Sequence, residues 1–252
     1  MEKTDYIFGI RAVIEAIEAG KDVDKILVKK DLHGDLIGEL LPLAKAHRIL
    51  VRRVPVQTID RITRKNHQGV VAVLSAVTYH RLDHLVPQLY EEGRLPFIIV
   101  LDGITDVRNF GAIARTAECV GADAIVIPEH GSVSVGGDAI KTSAGALHHI
   151  PVCRERSSAL AVKFLKENGY KIVAVTEKAT DNYTSIDYTT PTALVMGAED
   201  VGISPEVLKL ADHGAAIPMF GQIGSLNVSV AAGVMMYEVV RQRLNADDIT
   251  VD

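Results

Sequence analysis

The apolar positions of the first 76 residues recur in two periods. Ile10, Val13, Ile14 and Ile17 fall at helical spacing in a stretch near 9–19, and a second such stretch runs near 34–47. Between and after them, DKILVKK (24–30), ILVRRV (49–54) and VVAVLSA (70–76) read as strands, with a further short helix near 56–63. This alternation predicts a small α/β module over residues 1–76. Residues 77–95 hold no strand-like run and carry prolines at 87 and, just beyond, at 96, so they read as a linker with some helix.

From residue 96 the pattern becomes more regular. FIIVLDG (97–103), DAIVIPE (123–129), HIPVC (149–153), YKIVAVTE (170–177), TALVMGAE (192–199) and GAAIPM (214–219) are short apolar runs separated by helical stretches or loops. Continuous apolar strands alternating with helices predict a parallel sheet covered on both faces. In such sheets ligands collect beyond the carboxyl ends of the strands. The polar clusters fall there: Asp102 and Asn109, Thr176 and Glu177, Gly197 to Asp200, and Gly221 to Asn227.

Charge separates the two halves. The chain of 252 residues carries a net −5, yet residues 1–95 hold 15 Lys and Arg against 13 Asp and Glu, and residues 96–252 hold 12 against 19. Within the first half, residues 45–67 contain seven basic side chains and a single acidic one, Asp60. That stretch is a candidate phosphate-contacting patch, with Arg52, Arg53, Arg64 and Lys65 at its centre; on charge alone it reads equally as a solvated face. No apolar run approaches the ~18–20 residues of a membrane span. The amino terminus lacks the basic-then-apolar layout of a signal peptide, so a cytoplasmic location is expected. Cys119 and Cys153 form no framework and read as small core residues.

Several chemistries are missing from the sequence. No phosphate-binding loop ends in Gly-Lys-Ser or Gly-Lys-Thr, and HGSVSVGG (130–137) follows the second strand with the wrong spacing for a dinucleotide fingerprint, so it reads as a loop. His148 and His149 are adjacent in a stretch expected to be extended, where they would face opposite ways, and no metal site is expected. No strained elbow surrounds Ser225, which argues against a Ser-His-acid hydrolase. The joint FGQIGSLNVSVAA (220–232) stands out: Gly221 and Gly224 could supply turn conformations, and Ser225 or Asn227 could cap the last helix.

Three separated stretches give the joint a further reading. NFGAIARTAECVGADAIVIP (109–128), LVMGAEDVGIS (194–204) and IPMFGQIGSLNVSVAAGVMMYEVVRQR (217–243) resemble, in order and spacing, the three motifs of the SpoU (TrmH) branch of SPOUT RNA methyltransferases. FGIRAVIEAI (8–17) and NHQGVVAV (66–73) resemble the amino-terminal RNA-binding domain of its RlmB-like members, with Arg11 where relatives carry histidine. The resemblance implies an α/β fold with a carboxyl-terminal trefoil knot over 96–252, and S-adenosylmethionine bound bent against Thr176, Gly197, Ala198, Ile217, Pro218, Met219, Ser225 and Leu226. It implies 2′-O-methylation of a guanosine ribose in 23S ribosomal RNA, with Asn109, Arg115, Glu199, Ser225 and Asn227 around the reaction. It also implies a homodimer that brings Arg115 of one subunit toward the other's site, and no metal. The small-residue face of SVAAGVMMYEVV suits such packing and suits an ordinary core equally. Asn109 could instead cap the helix carrying Arg115, and Glu199 the helix near Ser204. Two other functions stay open: a transfer-RNA ribose methylase, and a non-catalytic ribosome-assembly factor on the same fold.

Overall fold

The computed structural model describes residues 6–246. The chain divides into two compact units, the first running to Thr78 and including Ser134–Asp138, the second formed by Tyr79–Val133 and the chain from Ala139 onward.

The first unit begins β1 (Tyr6–Phe8), α1 (Ile10–Glu18), β2 (Val23–Lys29) and α2 (Asp35–Ala46), and continues β3 (Leu50–Val54), α3 (Val56–Asp60) and β4 (Val70–Leu74). Its sheet has the order β1-β4-β2-β3, with β2 and β3 parallel and β4 antiparallel to both neighbours. The helical stripe of α1 explains one face: Val13, Ile14 and Ile17 pack with Leu40 and Ala44 of α2 against Ile26, Val28, Val70 and Ala72. Alternate strand positions turn the other way, where Leu27 and Val71 meet Ile59, Phe8, Val54 and Ile62. The Gly-rich segment is the expected loop at 130–136, but it is not wholly solvated. Val133 and Val135 are buried, and the carbonyl of Val135 accepts from the Ala76 N–H at 3.0 Å.

The two stretches that carried the amino-terminal resemblance are bonded to each other. Gly9, at φ 93°, turns the chain into α1. The Gln68 Oε1 accepts from the Ile10 N–H at 3.2 Å, where α1 has no capping side chain of its own. Beside it, His67 accepts from the Gly69 N–H through Nδ1 and meets Asp60 through Nε2 at 2.9 Å. Gln68→Ala removes the acceptor for an otherwise orphaned helix donor, so a loss of ~0.5–2 kcal/mol in urea unfolding of the full chain is expected.

The second unit opens with β5 (Tyr79–His80) and α4 (Leu82–Glu91), then β6 (Phe97–Asp102), α5 (Val107–Cys119), β7 (Ala124–Pro128) and α6 (Gly137–Thr142). After a 3₁₀ turn at Ala146–His148 come β8 (Val152–Glu155), α7 (Ser158–Glu167), β9 (Lys171–Val175) and β10 (Asp181–Asn182). A second 3₁₀ turn, Tyr183–Ser185, precedes β11 (Thr192–Gly197), α8 (Pro205–Leu208), β12 (His213–Ala216) and α9 (Val228–Ala246). The eight strands are all parallel, in the order β10-β12-β9-β11-β6-β7-β8-β5. The six expected strands form its centre. Residues 77–95 are more than a linker: β5 pairs with β8, and Leu82, Val86 and Leu89 of α4 are buried.

Burial on both faces accounts for the apolar runs. Ile98, Val100, Val126, Ile172 and Val195 point toward α4 and α7, whereas α5 and α9 lie together on the other side. The chain moves from β6 outward through β7 and β8, then crosses to β9 and returns to place β11 beside β6. That reversal is a topological switch point, and the carboxyl ends of β6 and β11 flank it.

Two expectations fail locally. His148 and His149 are exposed and sit in and after a 3₁₀ turn, not in an extended strand. Cys153 is buried, and burial pushes its thiol up to about 12, but Cys119 is exposed in the last turn of α5. An apolar neighbourhood in sequence did not bury it, because the helix turns that position outward. A thiol reagent added to the native protein is expected to modify Cys119 and spare Cys153, read by mass spectrometry of the labelled peptides.

Candidate active site

The site grows from the ends of three elements. At the start of α5, the Asp106 side chain accepts from the N–H groups of Arg108 and Asn109 at 2.8 and 2.9 Å, so Asp106 is the cap and Asn109 is not. The Asn109 amide is thereby left to reach out of the helix.

After β11 the chain makes a tight turn in which Ala198 and Gly202 exchange both backbone hydrogen bonds, at 3.2 and 2.8 Å, with Glu199 the first residue inside it. Asp102, at the end of β6, holds the far side by accepting from the Ser204 N–H at 2.7 Å. Glu199 does not cap α8, which has no side-chain cap. Gly197 is confined by the same turn: a Cβ there would stand 2.3 Å from the Gly202 carbonyl carbon and the Ile203 nitrogen.

At the start of α9, Asn227 has two roles. Its Oδ1 accepts from the Ser229 N–H at 3.0 Å and the Ser229 hydroxyl at 2.6 Å, which caps the helix. Its Nδ2 donates to Asn109 Oδ1 at 3.0 Å and Glu199 Oε1 at 2.6 Å. Asn109 Nδ2 donates to the same Glu199 oxygen at 3.0 Å. Two amides therefore converge on one carboxylate oxygen, and Glu199 Oε2 has no hydrogen-bond partner among the described residues. Ser225 is exposed nearby and takes no part in the cap. Gly221 and Gly224 adopt no left-handed backbone, and a Cβ at either would meet nothing within 4 Å, so neither supplies a conformation closed to other residues.

Beside this triangle, at the carboxyl ends of β9, β11 and β12, lies a cavity of about 350 Å³. Thr176, Gly197, Ala198, Ile217, Met219, Ser225 and Leu226 line it, as do Glu199 and Asn227; Pro218 does not. Glu177, which the sequence placed with Thr176 at a strand end, lines it too; sequence reasoning missed Val175, Met196, Ile203, Leu208 and Ala215, which complete its apolar wall, and the charged Lys178. No group of His, Cys, Asp and Glu among the described residues could hold a metal ion.

Arg115 stands apart. It is six residues beyond Asn109 on α5, about 9 Å along the axis and on another face. It is exposed and makes no hydrogen bond or ion pair with the described residues. In the first unit, Arg52 pairs across to Leu27 and so shares the face of Val71 and Phe8, over whose ring Lys65 lies at 5.6 Å. Arg64 is exposed near Lys65 in the sequence. Arg53 points oppositely and donates to the carbonyl of Lys30 at 2.8 Å, so its guanidinium is tied to the backbone.

The sequence profile of the SpoU rRNA methylase family matches residues 96–237, from the edge of β6 into α9. The chain belongs to the SpoU rRNA methylase family. A second profile, for RNA 2′-O ribose methyltransferase substrate binding, covers residues 6–80. A TrmH family tRNA/rRNA methyltransferase of Staphylococcus saprophyticus is 39% identical over 237 residues, 94% of this chain and 95% of its own. Among solved structures, the SpoU methyltransferase AviRb from Streptomyces viridochromogenes in complex with AdoMet superposes with a TM-score of 0.61 at 26% identity, over 95% of this chain and 90% of that one. An AdoMet-bound rRNA methyltransferase from Sinorhizobium meliloti gives 0.60 at 27%, over 94% and 86%. The SpoU match contains the triangle and the cavity lining, whereas residues 81–95, including α4, fall outside both profiles.

Proposed function

We propose that this SpoU-family chain is an S-adenosylmethionine-dependent 2′-O-methyltransferase acting on a guanosine ribose of 23S ribosomal RNA, as a cytoplasmic homodimer. The observation that carries the reading is the Asn109–Glu199–Asn227 triangle beside the cavity.

The cavity suits the methyl donor. Its volume of about 350 Å³ is within the range of small-molecule sites. Ile217, Met219, Leu226 and Leu208 offer apolar contact to an adenine, and Thr176 and Ser225 offer hydroxyls. Glu177, Glu199 and Asp200 place negative charge where a sulfonium and an ammonium need it. When bound, S-adenosylmethionine supplies an electrophilic methyl group.

The chain's own residues then have to align a ribose hydroxyl and accommodate its proton. Asn109 and Asn227 fix the Glu199 carboxylate through one oxygen, and its other oxygen is available to accept from the 2′-hydroxyl. Arg115 lies too far along α5 to join its own triangle, and its exposure suits a role at the site of a second subunit. There its planar guanidinium would hold a phosphate and stabilise developing negative charge. Val230 and Tyr237 are exposed on α9, which packs on α5, and would lie at the same interface. The close passage of residues 202–203 over Gly197, with β9 between β11 and β12, is consistent with a knotted carboxyl end.

Mapping of ribose methylation in ribosomal and transfer RNA from cells with and without the protein tests the reading. Loss of one mark in large-subunit RNA is the expected result. Loss of a transfer-RNA mark instead would move the substrate, and loss of none would favour an assembly factor.

A further inference from the structure

Strand register sorts the charges of the first unit onto two faces. Arg52 pairs with Leu27, Leu27 with Val71 and Val71 with Phe8, so these side chains form one row across β3, β2, β4 and β1. Ile59 packs against the middle of that row, which makes it the α3 face. At its β1 end the Lys65 ammonium lies 5.6 Å from the centre of the Phe8 ring. At its β3 end Arg52 is exposed, and Lys29, two residues beyond Leu27 and opposite Val54, belongs to the same face. None of these three cationic groups forms a hydrogen bond or an ion pair with the described residues. The loop that presents Arg64 and Lys65 is braced by His67, which meets Asp60 at 2.9 Å and accepts from the Gly69 N–H at 3.0 Å.

The opposite face has the reverse balance. Helices α1 and α2 cover it and carry Glu15, Glu18, Asp35 and Glu39 against Arg11 and Lys45, and Arg11 is already paired with Glu39 at 3.5 Å. Arg53 belongs to this side too, opposite Val28, and is tied to the carbonyls of Lys30 and Leu32 at 2.8 and 3.5 Å. A polyanion is therefore attracted to one face and not to the other. We propose that RNA lies on the α3 face of the first unit, with Lys29, Arg52 and Lys65 each on a phosphate and the α1–α2 face turned from it. This rests on the RNA-methyltransferase reading above. Neighbouring strands are ~4.8 Å apart, which sets Phe8 and Arg52 about 14 Å from each other. The cations at the two ends of the row then take different phosphates, and such contacts position an RNA without reading its sequence.

Two double variants of the full chain with the same change in net charge separate the faces: Arg52→Gln with Lys65→Gln on the α3 face, and Arg11→Gln with Lys45→Gln on the other. The probe is an unmethylated in-vitro transcript of 23S ribosomal RNA, titrated at several salt concentrations with S-adenosylhomocysteine present. Loss of two phosphate contacts should flatten the slope of log K against log salt by about 1.4–1.8 in the α3-face pair. That corresponds to binding weaker by about 15- to 30-fold near ~0.15 M salt. The other pair should keep the wild-type slope. Arg52→Gln alone should lose about half of the effect, whereas Arg52→Lys, which retains the charge, should lose none. Equal losses in the two pairs overturn the proposal, because they identify bulk charge as the cause. So does a wild-type slope in the α3-face pair, which would make that face merely solvated. Arg52 is exposed and unbonded, so Arg52→Gln against Arg52→Lys decides the matter even if the double variant folds poorly. A wild-type chain whose slopes divide as expected but that transfers no methyl group would keep the face and count against the reaction. Methyl transfer to RNA with undivided slopes would do the reverse.

Discussion

Gly197→Ala is expected to abolish methyl transfer, with loss of S-adenosylmethionine binding by calorimetry and a lower urea midpoint. The added carbon would stand 2.3 Å from two backbone atoms of residues 202 and 203, which cannot swing aside as a side chain can. Overpacking of a tight site costs ~1–3 kcal/mol or more. Relief requires opening the 198–202 turn, and that turn carries Glu199 next to its bridged start. A displacement of about 1 Å at a reacting group costs ~10²-fold in rate, so activity should fall at least that far even in molecules that stay folded. Gly224→Ala is the control: its Cβ meets nothing within 4 Å and its backbone is not left-handed, so stability should be near wild type. Wild-type activity in Gly197→Ala would mean that the turn is pliant and that Glu199 is not held by it.

Arg115→Ala is expected to lower turnover by ~10²–10³-fold while affinity for the methyl donor stays close to wild type. The residue makes no contact with the triangle and is absent from the cavity lining, so its loss should leave the donor's site intact. Arg115→Lys separates charge from shape: partial recovery indicates a point charge, and none indicates the planar fork. Mixing supplies the decisive measurement. If Arg115 serves the other subunit, subunits of Arg115→Ala exchanged with subunits of Asn109→Ala should regain activity that neither variant has alone, because one site of the mixed dimer is then complete. Absence of recovery, with exchange demonstrated by mass, would return Arg115 to its own subunit.

The sequence disclosed the second unit well because a parallel sheet buried on both faces leaves uninterrupted apolar runs such as FIIVL, which few other structures require. It disclosed little of β5 and β10, which have two residues each, too few for any period to register. Helix α4 was obscured by Pro87 in its interior, although Leu82, Val86 and Leu89 keep helical spacing. The residue types of the site were legible and their partners were not. Asn109 and Asp106 are both good caps, and only the backbone shows that Asp106 takes the role. The resemblance sets Gly197 against the methyl donor; the structure adds that the chain's own backbone at residues 202 and 203 also passes close to it. In the basic stretch, adjacent Arg52 and Arg53 look equivalent in sequence, but strand alternation sends them to opposite faces and one of them to a carbonyl.

Asn227 both caps α9 and completes the Glu199 triangle. The centre therefore joins residues 109, 199 and 227, and the last of them is set in place by the last helix of the described chain. During synthesis the first unit and all eight strands of the parallel sheet are made before that helix exists. A nascent or truncated chain ending before Asn227 would carry the basic face and the carboxylate without the amide that fixes it. Reactivity is in this way deferred until α9 has been made, and a product terminated before Asn227 is expected to bind RNA without modifying it.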